Sequence, residues 1–233
     1  MSEYCLRFNI RDLTQSEKSH IGETFLYQNI LIAGEIRIDN KRDLITSENF
    51  NKDVSNAELI ALLYQKYGDN FKHKIHGAFA FLLHDKSKAT LSLIRDHVGQ
   101  KIIYYSFHEN FVYVSSSIEN FFKFSGIKKN MNLTRVIDFI AHTHSINSET
   151  FFEKIHYVMP SNILSIKTDE IKEKEFNFQS NLHDDKDLKT LFFESVNAVR
   201  EENCGSMLSG GLDSSAISVA LQYFSKDPIE TFS

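Results

Sequence analysis

A short segment near residue 210 combines two glycines, three serines and one aspartate, a set of residue types that suits phosphate binding. It reads Leu208-Ser209-Gly210-Gly211-Leu212-Asp213-Ser214-Ser215. Because Gly210 and Gly211 lack Cβ atoms, the backbone can wrap closely around an anion and present its N–H groups to it. The serine hydroxyls are further donors. The pattern predicts a phosphate-binding loop over residues 209–215.

Asp213 fits that prediction only if a cation is also present, because a carboxylate and a phosphate repel each other. Mg²⁺ between the two would make the contact favourable, since hard oxygen ligands suit that ion. An ordinary strand-to-helix turn with serine caps is the alternative interpretation. The segment is not a Walker A loop, because no Gly-Lys-Ser/Thr sequence closes it. We therefore predict Mg²⁺ at Asp213, bridged to a pyrophosphate group.

The predicted strands and helix around the loop should place it at a helix N-terminus, where an anion is stabilised. Residues 206–208 are predicted as a strand, residues 214–224 as a helix and residues 229–232 as the beginning of a second strand. The positive end of the helix dipole would then point at the loop. With an amphipathic helix predicted over residues 188–201, this order is the beginning of an α/β doubly wound parallel sheet, which the chain holds only in truncated form.

The residues before the loop follow another pattern, in which short apolar runs of strand length are separated by polar turns. Strands are predicted at residues 30–36, 78–83, 89–94, 102–107, 111–114 and 163–166. Helices are predicted at residues 56–64, 117–124 and 133–142, with Ser55 and Asn132 as N-caps. Antiparallel sheets with flanking helices define an α+β domain. A polar, acid-rich stretch at residues 179–189 is the predicted linker, which gives two domains over residues 1–180 and 181–233.

Composition excludes several classes of protein. The net charge of −5 and the scattered lysines do not resemble a nucleic-acid-binding surface. The longest charged stretch, residues 167–174, alternates in sign and is interpreted as a solvated face rather than a docking patch. No apolar run approaches the ~20 residues of a membrane span, and no signal peptide precedes the first strand. The two cysteines, Cys5 and Cys204, do not form a disulfide framework, and Cys5 is predicted to be buried. We expect a cytoplasmic protein without nucleic-acid or membrane partners.

The loop resembles the pyrophosphate loop of asparagine synthetases and of the related β-lactam synthetases and lasso-peptide cyclases. The resemblance implies that residues 209–215 bind the phosphates of ATP, with Leu208 next to the nucleotide. In that family ATP adenylates a carboxylate and releases pyrophosphate, after which an amine attacks the acyl-adenylate to form an amide. ATP and Mg²⁺ are thus the expected cofactors, and a small-molecule or peptide carboxylate and ammonia or an amine are the expected substrates.

The first domain resembles the type 2 glutamine amidotransferase domain of the same family, which has an Ntn-hydrolase-like fold. Residues 33–36 are similar to an Asn-Gly-Glu-Ile motif, and residues 95–105 are similar to an Arg-Asp-x-x-Gly-x-Lys-Pro-Leu-Tyr-Tyr signature. The resemblance also implies that Arg95 and Asp96 form an internal ion pair that supports a turn. It covers nearly the whole chain, in the order of the family.

The glutamine site departs from the family at the positions that carry its chemistry. Ser2 stands where the family has its cysteine nucleophile, and a serine hydroxyl is a much weaker nucleophile than a partly ionised thiol. Ala33 replaces an asparagine whose amide would stabilise the oxyanion. Asn56 replaces an aspartate that would hold the glutamine α-amine. Gly34 and Glu35 remain, and Glu35 is interpreted as structural. We predict that this domain does not hydrolyse glutamine.

The resulting hypothesis is an asparagine-synthase-like, ATP-dependent amide ligase that uses ammonia or another amine. A lasso-peptide cyclase or a β-lactam synthetase is the alternative within the family. A non-catalytic fragment or scaffold is the alternative outside it, because the chain ends shortly after the phosphate loop. A missing synthetase half is then an expected partner.

Overall fold

The computed structural model describes residues 4–19, 23–124, 126–143, 147–168, 170–176, 186–201 and 203–233. The chain divides into two compact units, Met1–Gln179 and Ser180–Ser233. Each unit has its own secondary structure and its own apolar core.

The first unit contains eleven named strands and four named α-helices in its described part. The strands are β1 (Cys5–Asn9), β2 (Gln15–Ser19), β3 (Glu23–Tyr27), β4 (Ile30–Ile38), β5 (Gly77–Asp85), β6 (Thr90–Arg95), β7 (Tyr104–His108), β8 (Phe111–Ser115), β9 (His156–Tyr157), β10 (Asn162–Lys167) and β11 (Glu170–Glu175). The helices are α1 (Lys41–Glu48), α2 (Asn56–Tyr67), α3 (Ile118–Phe124) and α4 (Leu133–His142), with a 3-10 helix at Gly68–His73.

These strands form two sheets, and their pairings are antiparallel. One sheet has the order β2-β1-β8-β7-β9 and the other has the order β11-β10-β6-β5-β4-β3. An apolar cluster combines residues of both sheets, including Phe8 and Val114 from the first and Leu82 and Leu164 from the second. A second cluster joins α2 to the opposite face of the six-stranded sheet. The predicted α+β fold of antiparallel sheets with flanking helices is confirmed.

Strand β5 shows how one apolar run serves both clusters. Side chains alternate between the two faces of a strand, so Phe79 and Phe81 pack with α2 while Ala80 and Leu82 pack between the sheets. All four are buried. The continuous apolar run at residues 78–83 therefore follows from burial on both faces.

The second unit contains α5 (Leu188–Val199), β12 (Ser206–Met207), α6 (Leu212–Phe224) and β13 (Thr231–Phe232). β12 pairs in parallel with β13, and α6 connects them. Val196 of α5 and Ala220 and Leu221 of α6 form the buried core of this unit. The parallel pair with its connecting helix confirms the predicted beginning of an α/β sheet.

The two predicted N-caps are confirmed by hydrogen bonds, and the predicted burial of Cys5 is confirmed as well. The side chain of Ser55 accepts a bond from the Glu58 amide at 3.1 Å at the N-terminus of α2. The side chain of Asn132 accepts one from the Arg135 amide at 3.3 Å at the N-terminus of α4. Cys5 is buried in β1, as predicted.

Helix α4 presents an exposed apolar face. Leu133, Ile137 and Ile140 are exposed, whereas Arg135 is buried and forms an ion pair of 2.7 Å with Asp138. The apolar spacing predicted the helix correctly, but the buried side of the helix carries the arginine. No helix in the described part of the chain is long and apolar enough to cross a membrane.

Candidate functional site

The predicted phosphate loop lies between a parallel strand and the first turn of α6. The amide of Ser206 donates to the Glu230 carbonyl at 2.9 Å, and the amide of Leu208 donates to the Phe232 carbonyl at 2.7 Å. The Ser206 and Ser218 hydroxyls lie 2.9 Å apart and connect β12 to α6. These contacts hold the two ends of the loop.

The two glycines of the loop have different backbone conformations. Gly210 has a φ of +81°, and apart from its chain neighbours no atom of the described residues lies within 4 Å of the position that a Cβ would occupy. Gly211 is the N-cap of α6, with a φ of −76° and a ψ of 162°. Only Gly210 therefore needs the conformational freedom of glycine. Helix geometry leaves the amides of the first turn of α6 without acceptors inside the helix, and this turn begins directly after Gly211.

The serine hydroxyls bond within the loop. The Ser209 and Ser214 hydroxyls lie 3.0 Å apart. Ser214 and Ser215 both donate to the carbonyl of Gly211, at 3.1 and 2.8 Å. The structure thus brings the predicted serines together around the start of α6.

This donor set fits a phosphate group. Next to Gly210 the loop has open space that a side chain would occupy, and the Ser209 hydroxyl and the first-turn amides of α6 lie at that end of the helix. Asp213, in the first turn of α6, is exposed. An exposed carboxylate beside a phosphate can hold Mg²⁺. Leu212, which is also exposed, contributes its backbone to this turn.

The predicted remnant of the glutamine site lies on β4. Ala33 is buried between the two sheets. Gly34 pairs with Phe81, and a Cβ at Gly34 would collide with the backbone of Ala80 and Phe81. Glu35 forms an ion pair of 2.8 Å with Lys101. Of the two residues that flank Gly34 in sequence, Ala33 is therefore used in packing and Glu35 in an ion pair.

Asn56 also makes a structural contact. Its side-chain amide donates to the carbonyl of Ile36 at 2.8 Å and joins the N-terminus of α2 to β4. A carboxylate at this position could not donate that bond. The asparagine therefore suits helix attachment, for which an aspartate would be the poorer residue.

Tyr4, the first described residue, belongs to the same apolar cluster as Ala33. Ser2 lies outside the described residues. Tyr4 is buried, its amide donates to the Ser116 hydroxyl at 3.1 Å, and its carbonyl accepts a bond from the Ser115 hydroxyl. Burial, followed by the negative charge of Glu35, raises the pKa of Tyr4.

Arg95 and Asp96 support a turn, but the predicted ion pair between them is wrong. Arg95 donates to the carbonyls of Lys101, Gly99 and Val158 at 2.6 to 2.9 Å. Asp96 accepts bonds from backbone amides on both sides of the turn, which belong to Phe79, Val98, Gln100 and Lys101. Each side chain is thus satisfied by main-chain groups rather than by the other.

Comparison with known families follows this division into two units. A family model described as a glutamine amidotransferase domain matches residues 6–177. The first unit therefore belongs to that class of domain. A second model, described as asparagine synthase, matches residues 187–233. The chain thus belongs to the glutamine amidotransferase domain family over residues 6–177 and is similar to asparagine synthase over residues 187–233.

Curated relatives share moderate identity with the chain. It is 29% identical over 187 residues to Amidase chry2 of Gibberella zeae, covering 74% of this chain and 27% of that protein. It is 26% identical over 235 residues to the glutamine-hydrolyzing asparagine synthetase 2 of Bacillus subtilis, covering 91% and 31%. A solved glutamine phosphoribosylpyrophosphate amidotransferase from B. subtilis has a TM-score of 0.48 and 14% identity, covering 99% of this chain and 59% of that one. The chain spans about a quarter to a third of the length of the two curated relatives.

Two contributors to these sites were not predicted. Lys101 belongs to the signature at residues 95–105. Its ion pair with Glu35 was not predicted, because the two residues are distant in sequence. Ser218 lies one helical turn after Ser214 and bonds to β12. The four-residue spacing of these two serines was the available signal, because residues that far apart share a helix face.

Proposed function

We propose that this chain carries the ATP-phosphate-binding loop of an ATP-dependent amide-forming ligase. The observation that carries the proposal is the position of Gly210, with its φ of +81°, between a parallel strand and α6, next to the paired hydroxyls of Ser209 and Ser214. Backbone amides that converge at a helix N-terminus stabilise phosphate charge. The match of residues 187–233 to the asparagine synthase model supports the same chemistry.

In this proposal the residues of the chain bind and orient, and ATP supplies the adenylyl group that activates a carboxylate. The backbone around Gly210 and Gly211 holds phosphate oxygens, and the Ser209 hydroxyl donates to them. Ser214, whose proton goes to the Gly211 carbonyl, positions Ser209, and Asp213 contributes an oxygen ligand to Mg²⁺. Ser215 steadies the first turn through its bond to Gly211. Pyrophosphate would leave as the acyl-adenylate forms, and an amine would then attack the acyl carbon and release AMP to give the amide.

We further propose that the amine is ammonia or a substrate amine and not nitrogen released from glutamine. The contacts of Glu35 with Lys101 and of Asn56 with Ile36 support this, because they commit both side chains to holding the fold. The replacement of asparagine by the buried Ala33 removes an oxyanion donor. The carboxylate is either a small molecule or a peptide, as in the β-lactam synthetase and lasso-peptide cyclase branches.

Nucleotide binding tests the proposal directly. Calorimetric titration of the 233-residue chain with ATP should show binding that strengthens when Mg²⁺ is added. Asp213→Ala should remove that Mg²⁺-dependent part, and the matched control Asp227→Ala, an exposed carboxylate of the same unit, should retain it. Absence of ATP binding, or equal loss in both variants, would overturn the proposal. ATP–pyrophosphate exchange by the chain would in addition argue against a purely structural scaffold.

Amide hydrolysis is a second candidate, because a matched relative is named an amidase. It would use the first unit and require an active nucleophile there. Glutamate release from glutamine, or ammonia release from a panel of simple amides, distinguishes it from ligation. We expect neither product above the background of a heat-denatured sample, and reproducible release would favour the hydrolase.

A further inference from the structure

The outer face of the six-stranded sheet carries a groove that none of the functions above uses. It is a cavity of about 390 Å³ bordered by β6, β10 and β11 on one side and by α2 and the 3-10 helix on the other. Five lysines and two carboxylates are among its lining residues. We call it the lysine groove. It is positive although the chain carries a net charge of −5.

The groove is positive because the lysines and glutamates that alternate along β11 lie on opposite faces of the strand. Lys172 and Lys174 are two residues apart, so they point to one face of the strand, while Glu173 and Glu175 point to the other. Cross-strand partners share a face, and Lys172 is opposite Ser165. Charges that alternate along the chain are therefore separated across the sheet, and the stretch from 167 to 174 contributes three lysines to one side.

Three of the five groove lysines, Lys72, Lys167 and Lys174, make no ion pair within the described residues. Lys172 pairs with Glu170 at 2.7 Å, and Lys88 bonds to the Tyr64 hydroxyl at 3.0 Å. Chiefly the bond from Lys172, and then the charges of Lys167 and Lys174, lower the pKa of Glu170. The groove already stabilises one negative charge of its own.

The floor of the groove combines hydroxyl groups with apolar side chains. The Ser92 and Ser165 hydroxyls lie 3.4 Å apart on paired strands. Next to them along the same strands, Ile94 and Ile163 also line the cavity. The groove thus offers donors for anionic oxygens beside a surface for an apolar body. Its volume falls in the range of small-ligand sites, roughly 300–1,000 Å³.

We propose that the lysine groove binds a small organic molecule that carries a phosphate group. Lys167 and Lys174 attract the phosphate, Ser92 and Ser165 donate hydrogen bonds to its oxygens, and the partly buried Ile163 contacts the organic part. A phosphate suits this set better than a carboxylate, because it presents more charge and three acceptor oxygens to several separate donors. The site is separate from the loop at residues 209–215, since all of its residues belong to the first unit.

Amide chemical shifts of the 233-residue chain, recorded at constant ionic strength, test this assignment. The probes are phenyl phosphate, inorganic phosphate and benzoate. We expect saturable shifts in β6, β10 and β11 with phenyl phosphate, about threefold tighter binding than with inorganic phosphate because of the apolar floor, and weaker binding of benzoate. The double variant Lys167→Gln/Lys174→Gln should bind phenyl phosphate about tenfold more weakly, since two exposed charges are lost.

The control is Lys52→Gln/Lys128→Gln, which removes two exposed lysines outside the groove. It should retain the affinity of the unaltered chain, and thermal unfolding should show that both double variants are folded. Equal weakening in both pairs would reveal nonspecific attraction and overturn the proposal. Shifts confined to residues 209–215, or benzoate binding as tight as that of phenyl phosphate, would overturn it as well.

Discussion

Lys101 forms an ion pair of 2.8 Å with Glu35, the glutamate that follows the glycine of the predicted glutamine site. Both side chains are partly buried, with exposed fractions of 34% and 21%, so the pair is screened less than one on the open surface. It connects β4 to the segment that follows the Arg95–Asp96 turn. A residue that the family resemblance places at a substrate site is thus part of a tertiary contact.

Removing either partner of this pair should cost about 1 kcal/mol of unfolding free energy, the upper end for pairs that are not fully buried. A double-mutant cycle of Glu35→Gln and Lys101→Met, followed by urea denaturation, measures the coupling. The cycle Arg37→Gln with Asp39→Asn is a suitable control, because that pair has a half-exposed arginine. Coupling at Glu35 no larger than at Asp39 would contradict the structural role.

The two glycines of the phosphate loop should respond differently to the same substitution. Gly210→Ala forces a side chain into the left-handed region and should cost about 1 kcal/mol. Gly211→Ala should cost less, because its φ of −76° is ordinary and a Cβ would lie 3.5 Å from the Ser209 hydroxyl oxygen, which leaves only the poorer N-cap propensity of alanine. Thermal unfolding of both variants makes the comparison, and equal losses would contradict the backbone assignment.

Asp96→Ala should be severely destabilising. The buried carboxylate accepts bonds from four backbone amides, and losing it leaves several of them unsatisfied at a cost of about 1–3 kcal/mol each. We expect a loss of at least about 3 kcal/mol in chemical denaturation. Asp12→Ala is the matched control, because Asp12 also accepts a backbone amide, from Thr14 at 2.9 Å, but is exposed. A small effect at Asp96 would show that water replaces the carboxylate.

Glu48 should make the fold sensitive to acid. Bonds from Lys66 and Tyr67 lower the pKa of Glu48 from 4.5 to about 2. A folded-state pKa below the unfolded value contributes stability above about pH 4.5, and that stability is lost as the pH falls towards about 2. Glu48→Gln should therefore flatten the decline of unfolding free energy in this window. Glu119→Gln, which removes an exposed partner of Lys123, should leave the decline unchanged.

Local features of the chain were predictable because their causes lie within a few residues. The caps at Ser55 and Asn132 and the turn between β5 and β6 depend on neighbours in sequence. The same holds for the loop around Gly210, where the glycines and the adjoining helix are contiguous. By contrast, α1 was not predicted, because it buries only Leu44 and has little apolar periodicity.

Features that depend on distant partners could not be predicted in this way. Arg95 bonds to Val158, which is 63 residues further along the chain, and no local pattern indicates that carbonyl. Arg135 is buried while Ile137 is exposed, which reverses the expectation from hydropathy. The lysine groove requires the register of β10 and β11, since sequence alternation alone indicates a mixed surface.

The alternation along β5 divides the first unit into two neighbourhoods that can change separately. Phe81 and Leu82 are adjacent in sequence but contribute to different apolar clusters. Side chains in the cluster on the α2 side could therefore be substituted without changing the packing between the sheets. The changes in unfolding free energy from substitutions that share no packing partners are almost additive. The same separation would let evolution remodel the α2 side, including the border of the lysine groove, while the sheet-to-sheet interior that positions β4 is preserved.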